Sequence, residues 1–151
     1  MNDSAVNLRQ ASVDDLDAIM QLETATFPSD AWNRETMQRE LRSRVNRYYV
    51  LERDDTPVAY GGIRVVACDA DVQTIAVADG SRGQGLGRAL MEHLMQAARD
   101  EGALQMFLEV RADNPNAIAL YESLDFEQID VRHGYYQPDG IDAIVMMKEP
   151  V

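Results

Sequence analysis

The sequence holds one cysteine in 151 residues, Cys68, so no disulfide can close within the chain. That usage suits a reducing compartment. Histidine is nearly as scarce: His93 and His133 are the whole complement and lie far apart in sequence. Without paired Cys or His spacing there is no zinc signature, and no metal is expected. Cys68 follows an apolar run with no histidine beside it, which favours a structural place over a nucleophile's. No apolar run reaches the roughly 20 residues of a membrane span. Met1-Asn2-Asp3-Ser4 shows neither the basic n-region nor the apolar h-region of a signal peptide. Repeats, low-complexity tracts and linkers are also missing, so one domain over 1–151 is expected, in a cytoplasmic protein.

Basic residues are in short supply. Fourteen Lys and Arg face 26 Asp and Glu, a net charge of −12. Nucleic acid and anionic membrane both call for basic patches, so neither is expected as a partner. The same charge suits a cationic partner, such as an amine or a basic peptide, and equally well serves solubility alone. The 46% of hydrophobic residues is enough for a real core.

Ser12-Val13-Asp14-Asp15 has the form of a capping box with Asp in place of Glu, and the apolar spacing after it predicts a helix over 13–25. Residues 27–32, Phe-Pro-Ser-Asp-Ala-Trp, form a loop of breakers and aromatics. Asn33 caps a second helix to about Arg44. Strands are predicted at 48–51, 58–67 and 72–77, with turns at Asp54-Asp55 and Cys68 to Asp71. Such short connections make an antiparallel meander. Gly61-Gly62 marks a bulge or a close backbone approach.

The period then changes. Leu86, Leu90, Leu94 and Ala97 form a helical stripe over about 85–100, stopped by Gly102, and a strand follows at 104–110. Strand, helix and strand make one βαβ unit with its strands parallel. Asn114-Pro115 opens a further helix, which ends near Leu124. Two last strands, 126–131 and 143–148, are joined by a loop holding Gly134, Tyr135 and Tyr136. The fold class is α+β: a mixed sheet, an antiparallel N-terminal meander, one central βαβ unit and about four helices.

Between the third of these strands and the long helix lies Arg82-Gly83-Gln84-Gly85-Leu86-Gly87-Arg88. Free amides and the positive dipole end at a helix start attract anions, and glycines let a phosphate approach the backbone. Arg82 and Arg88 add positive charge in an acidic chain. Three readings follow. One is a plain glycine-rich turn. A second is a dinucleotide loop, but its third glycine would fall at Arg88, and a meander upstream is wrong for it. A triphosphate loop would need Gly-Lys-Ser/Thr, which is absent. The third is a coenzyme A pyrophosphate site, since Arg82-x-x-Gly85-x-Gly87 fits Gln/Arg-x-x-Gly-x-Gly/Ala. That motif resembles the one of the GNAT acetyltransferase superfamily, and the order of elements around it is similar too.

The likeness is strongest to ribosomal-protein-alanine N-acetyltransferases of the RimI type. It rests on Thr74-Ile75-Ala76-Val77, on 85–94, on Leu108-Glu109-Val110-Arg111-Ala112-Asp113-Asn114, on 117–124, and on Tyr135-Tyr136, Asp142-Ala143 and Met146. It covers about 70–148 well. Phe27-Pro28 and Trp32 bear only a faint likeness to the family's acceptor loop. Asp125 stands where the family has Gly, a position Asp tolerates in left-handed backbone.

The resemblance implies acetyl-CoA as co-substrate, held by Ile75, Ala76, Val77, Arg82, Gly83, Gln84, Gly85, Leu86, Gly87, Arg88 and Asn114. It implies as acceptor a protein N-terminus, the N-terminal alanine of a small-subunit ribosomal protein, with direct transfer in a ternary complex. A small amine, another peptide, or a non-catalytic acyl-CoA-binding module are the alternatives. Glu109 interrupts an apolar strand near its C-terminal end. On residues alone it is a solvated strand-end carboxylate or a base; the resemblance implies the base. Tyr121 shares a helix face with Asn114, Ala117 and Ile118. It reads as a core tyrosine or, by resemblance, as the acid that protonates the leaving thiolate. Phe27, Trp32, Tyr135 and Tyr136 are candidate walls of an acceptor groove.

Overall fold

Alternating apolar positions in seven strands generate one mixed sheet in the computed structural model, which describes residues 6–151. The Met1-to-Ser4 segment read for a signal lies outside the described residues. The elements run β1 (Val6–Gln10), a 3-10 turn (Val13–Asp15), α1 (Leu16–Thr26), α2 (Arg34–Arg42), β2 (Asn46–Arg53), β3 (Thr56–Val66) and β4 (Asp69–Val77). After a short 3-10 turn (Asp79–Ser81) come α3 (Leu86–Asp100), β5 (Gln105–Arg111), α4 (Pro115–Ser123), β6 (Glu127–Tyr136) and β7 (Ile141–Lys148). The sheet order is β1-β2-β3-β4-β5-β7-β6, with β4 and β5 parallel and every other pair antiparallel.

The local signals act as expected. Ser12 and Asp15 close a capping box. Asn33 and Asn114 cap α2 and α4 through their side chains. Asp54 and Asp55, at φ 53° and 64°, make the two-residue hairpin turn between β2 and β3. Asp125 takes φ 73° after α4. Three features differ from expectation. β1 is an additional edge strand: Val6 and Leu8 alternate with Asn7 and Arg9, but over only five residues. Tyr135 and Tyr136 end a longer β6 instead of lying in a loop. The β3–β4 turn lies at Ala67-Cys68 and Asp69 already starts β4, so the turn is earlier and shorter than Cys68 to Asp71, with the thiol exposed. The structural part of Cys68 is played by its carbonyl, which accepts the Leu104 N–H at 2.8 Å.

Two cores sit on opposite sheet faces. Under α3 lie Leu90, Met91, Leu94, Met106, Leu108 and Met146. Under α1 and α2 lie Ile19, Met37, Tyr48, Val50, Tyr60 and Ala76. Each such side chain contributes about 1.5–3 kcal/mol when fully buried. The Gly61-Gly62 pair lets both layers approach the backbone. A Cβ on Gly61 would lie 3.2 Å from Leu94 Cδ1, and one on Gly62 would collide with the Tyr48 ring.

Two polar groups tie the N-terminal half to this frame. Arg9 of β1 forks onto Asp15 at 2.7 and 2.9 Å and also reaches Glu52 of β2. The other is Glu23 of α1, only 1% exposed. Its carboxylate accepts from the Tyr60 hydroxyl, from Thr74 Oγ1 at 3.0 Å, and from the backbone N–H of Trp32 at 3.0 Å. It thus joins α1, β3, β4 and the 27–32 loop.

Glu23→Ala leaves buried donors without their charged acceptor, each such bond being worth about 1.5–3 kcal/mol. Chemical denaturation is expected to show a loss of about 3 kcal/mol or more; a loss below about 1 kcal/mol would contradict the tether. Asp15 supplies a pH test. The hydrogen bonds from Arg9 hold its carboxyl below the ordinary range. Its contribution is therefore fully present above the unfolded value of about 3.9 and is lost as pH falls through the lower folded value. Asp15→Asn should melt below wild type at about pH 7, with the gap narrowing at about pH 3. A gap independent of pH would exclude this linkage.

Candidate active site at the parted strands

The parallel ladder between β4 and β5 covers Asp69↔Gln105, Ala70↔Met106 and Asp71↔Phe107. Beyond it β4 continues to Val77, still paired with β3, and β5 continues to Arg111, still paired with β7. The two strands therefore part, and a wedge opens between 72–77 and 108–111. The cause is a bulge. Gly62 faces Thr74 and Ile63 faces Val72, which leaves Gln73 as an extra residue in β4. An extra residue bends its strand and increases the local twist. The edge of β4 along Ile75, Ala76 and Val77 lines one side of this wedge, and Glu109 lies on the strand that lines the other.

At the wide end stands the glycine loop. Gly83 and Gly85 have φ of 79° and 77°, a backbone that L side chains adopt only with strain. These two turns bring the chain into α3, whose first internal bond runs from the Ala89 N–H to the Gly85 carbonyl at 3.0 Å. The amides of Leu86, Gly87 and Arg88 precede that bond and have no acceptor within the helix. At Gly87 the issue is space: a Cβ would meet Leu120 Cδ2 at 3.4 Å and Val77 Cγ2 at 3.9 Å. There α3, α4 and the end of β4 converge.

The cations of the loop are held by the protein itself. Arg82 Nε donates to the Val77 carbonyl at 3.2 Å, and Arg82 Nη1 pairs with Asp79 at 2.9 Å. Arg88 bonds to Ser123 at the end of α4. Arg53 of β2, which no motif singled out, donates to Gln84 Oε1 at 2.7 Å and Ser81 Oγ at 3.3 Å. Together they make an electropositive rim in an acidic chain.

The narrow side carries the titratable groups. In β5, Met106, Leu108 and Val110 enter the α3-side core, so alternation turns Phe107, Glu109 and Arg111 to the other face. Glu109 pairs with Arg132 of β6 at 2.9 Å. Its charge is the first cause of a raised Tyr135 phenol, which fixes Tyr135 as its neighbour. Tyr135 and Tyr136 meet edge to face, centroids 5.2 Å apart. Tyr121 packs on the α3 side, edge-on to Phe126, and is 6% exposed. Among the described residues its hydroxyl has no hydrogen-bond partner, and burial pushes the phenol up to about 12. Glu109 and Tyr121 thus flank β5 from opposite faces. Asn114, between them in sequence, spends its carboxamide oxygen on the Ala117 N–H at 3.2 Å.

Three groups escaped the sequence reading: Glu23, Arg53 and Arg132. Each acts across elements distant in sequence: Glu23 through the packing of α1 on β3 and β4, Arg53 through β2 and Arg132 through the register of β6.

A family model described as Acetyltransferase (GNAT) family matches residues 16–126. An uncharacterised protein of Mycobacterium leprae is 40% identical over 140 residues, 89% of this chain and 38% of that protein, so the chain spans well under half of that relative's length. The N-alpha-acetyltransferase RimI of Mycobacterium tuberculosis is 37% identical over 134 residues, 85% of this chain and 83% of that protein. The crystal structure of the ribosomal-protein-S18-alanine N-acetyltransferase from Escherichia coli superposes with a TM-score of 0.89 at 33% identity, covering 97% of this chain and 94% of that one. Such agreement in fold and in sequence means that the chain belongs to the GNAT family and is an acetyl-CoA-dependent N-acetyltransferase.

Proposed function

We propose that this enzyme acetylates the α-amino group of a protein N-terminus, the N-terminal alanine of a small-subunit ribosomal protein, by direct transfer from acetyl-CoA in a ternary complex. The observation that carries the reading is the wedge itself. It runs from an anion-binding helix start to a carboxylate, and it leaves strand-edge backbone along the way. The relatives named for alanine and N-alpha acetylation support the acceptor.

The roles divide by position. The amides of Leu86, Gly87 and Arg88, the turns at Gly83 and Gly85, and the side chains of Arg82, Gln84 and Arg88 receive the diphosphate. Ile75, Ala76 and Val77 pair through their backbone with the pantetheine amides as a third strand would. A backbone N–H at this edge polarises the thioester oxygen. Asn114 contacts the same molecule through the amide group that its cap leaves free.

Chemistry then needs a neutral amine. An α-amino group titrates near 8, so a modest base suffices. Glu109 takes a proton from the ammonium, directly or through water, while Arg132 fixes the carboxylate's direction. The amine nitrogen bonds to the thioester carbon, gives up its second proton to solvent, and the carbon–sulfur bond breaks. Tyr121, a phenol neutral at physiological pH and pushed further up by burial, gives its proton to the departing sulfur and recovers one from solvent. Phe27, Trp32, Tyr135 and Tyr136 wall the acceptor's approach.

Glu109→Gln and Tyr121→Phe are each expected to lower kcat/KM on an N-terminal peptide by about 100-fold or more, with the acetyl-CoA Kd within about twofold of wild type. Unchanged transfer in both would remove these assignments. A panel of peptides with different first residues, read by mass spectrometry, tests the alanine preference. For the cofactor loop, acetyl-CoA at about 100 times its Kd should stabilise the protein by about 2.7 kcal/mol, with no response to NAD or ATP. Gly87→Val, which pushes carbon into Leu120 and the loop, should weaken that binding by about tenfold or more. Equal binding by the variant would place the diphosphate elsewhere.

A further inference from the structure

Among the described residues, Arg111 is the one guanidinium that contacts both the 27–32 loop and the β6–β7 connection. It ends β5, two residues after Glu109 and on the same face. Asp113 holds it with a fork: Nε to Oδ1 at 3.0 Å and Nη2 to Oδ2 at 3.2 Å. The Tyr136 ring lies under it, 5.2 Å from centroid to Cζ. Two outer donors then reach in different directions. Nη1 meets Asp30 of the 27–32 loop at 3.5 Å, and Nη2 meets Asp139 of the β6–β7 connection at 3.5 Å.

The two sets of contacts differ in kind. The fork with Asp113 is short, local and bidentate, so it fixes the plane of the guanidinium. The contacts with Asp30 and Asp139 are long and join segments far apart in sequence. Such contacts hold a geometry without locking it. The same loop is anchored at its other end by Glu23 on the Trp32 N–H. Its inner end is therefore fixed to the core, and its outer end rests on Arg111.

We infer that Arg111 is a positioning residue: it clamps Asp30 of the acceptor loop to Asp139 of the β6–β7 connection and so sets the width of the groove that presents the acceptor amine to Glu109. The inference rests on the proposed acceptor groove. Lysine cannot replace it, since an ammonium lacks the planar fork that serves three carboxylates at once. Because the clamping contacts are long and single, salt weakens them before it weakens the short bidentate Asp113 fork.

Trp32 is the single tryptophan of the chain and sits in the clamped loop, so its fluorescence reports the clamp without any turnover. In Asp139→Asn and Arg111→Lys, acrylamide quenching of Trp32 should rise. It should rise in wild type as well between about 0.05 and about 0.5 M salt, but not in the Asp30→Asn, Asp139→Asn double variant. The acceptor KM should increase by up to about fivefold in Asp139→Asn, with kcat and acetyl-CoA affinity unmoved. Wild-type quenching in Asp139→Asn and Arg111→Lys overturns the clamp, and altered quenching with an unchanged acceptor KM overturns its role in positioning. If wild type acetylates no N-terminal peptide, the acceptor reading fails, while the quenching series still decides whether the clamp exists.

Discussion

One additional residue in one strand governs the site. Gln73 has no partner in β3, and past it β4 no longer follows β5. A regular parallel pair would have filled its own edges with ladder hydrogen bonds and left nothing for a ligand. The bulge instead leaves backbone donors and acceptors of both strands facing a gap, inside a sheet that is otherwise closed on both sides. The candidate site is arranged around that gap: α3 starts at its wide end, Glu109 and Tyr121 border it from opposite faces of β5, and the 27–32 loop crosses beside it.

The gap also explains why the two cores differ. On the α3 side, packing is almost wholly apolar, and the helix can be held rigidly with its free amides aimed at the opening. On the α1 side, a buried carboxylate and its three donors replace part of the apolar contact. Such a network is demanding, because each group must find its partner, but it fixes position more narrowly than interchangeable methyl groups do. The side that meets a variable partner is thus the side whose placement is specified by hydrogen bonds.

Much of this was legible in the sequence because it is local. The Ser12–Asp15 box, the Asp54-Asp55 turn, the Asn33 and Asn114 caps and the glycine loop each announce themselves within a few residues. So did Asp125 in its left-handed turn. Glu109 stood out as a charge in an apolar strand, and Tyr121 through the helix face it shares with Asn114. What stayed hidden is non-local. The pairing of β1 with β2 recruits a five-residue edge whose alternation of Val6 and Leu8 with polar residues is too short to stand out. The meeting of Arg132 with Glu109 depends on the register of β6 against β7. Arg53 reaches Gln84 only because β2 ends where α3 begins. The β3–β4 turn begins one residue earlier than expected, since Ala67 continues the apolar run yet takes φ 56°. The bulge was half seen, since Gly61-Gly62 flagged the locality, but the extra residue lies on the facing strand.

The tether between Glu23 and the acceptor loop has a consequence for how such an enzyme diversifies. The loop is bound through the main-chain N–H of position 32, not through its side chain. Any residue except proline supplies that donor, so the anchor does not register which side chain is present. Loop positions other than Asp30, whose carboxylate meets Arg111, can then change shape and charge without loosening the backbone that displays them. A fixed hinge of this kind lets a lineage vary the surface of the loop by substitution alone, while the backbone beside Glu109 and Arg111 stays in place.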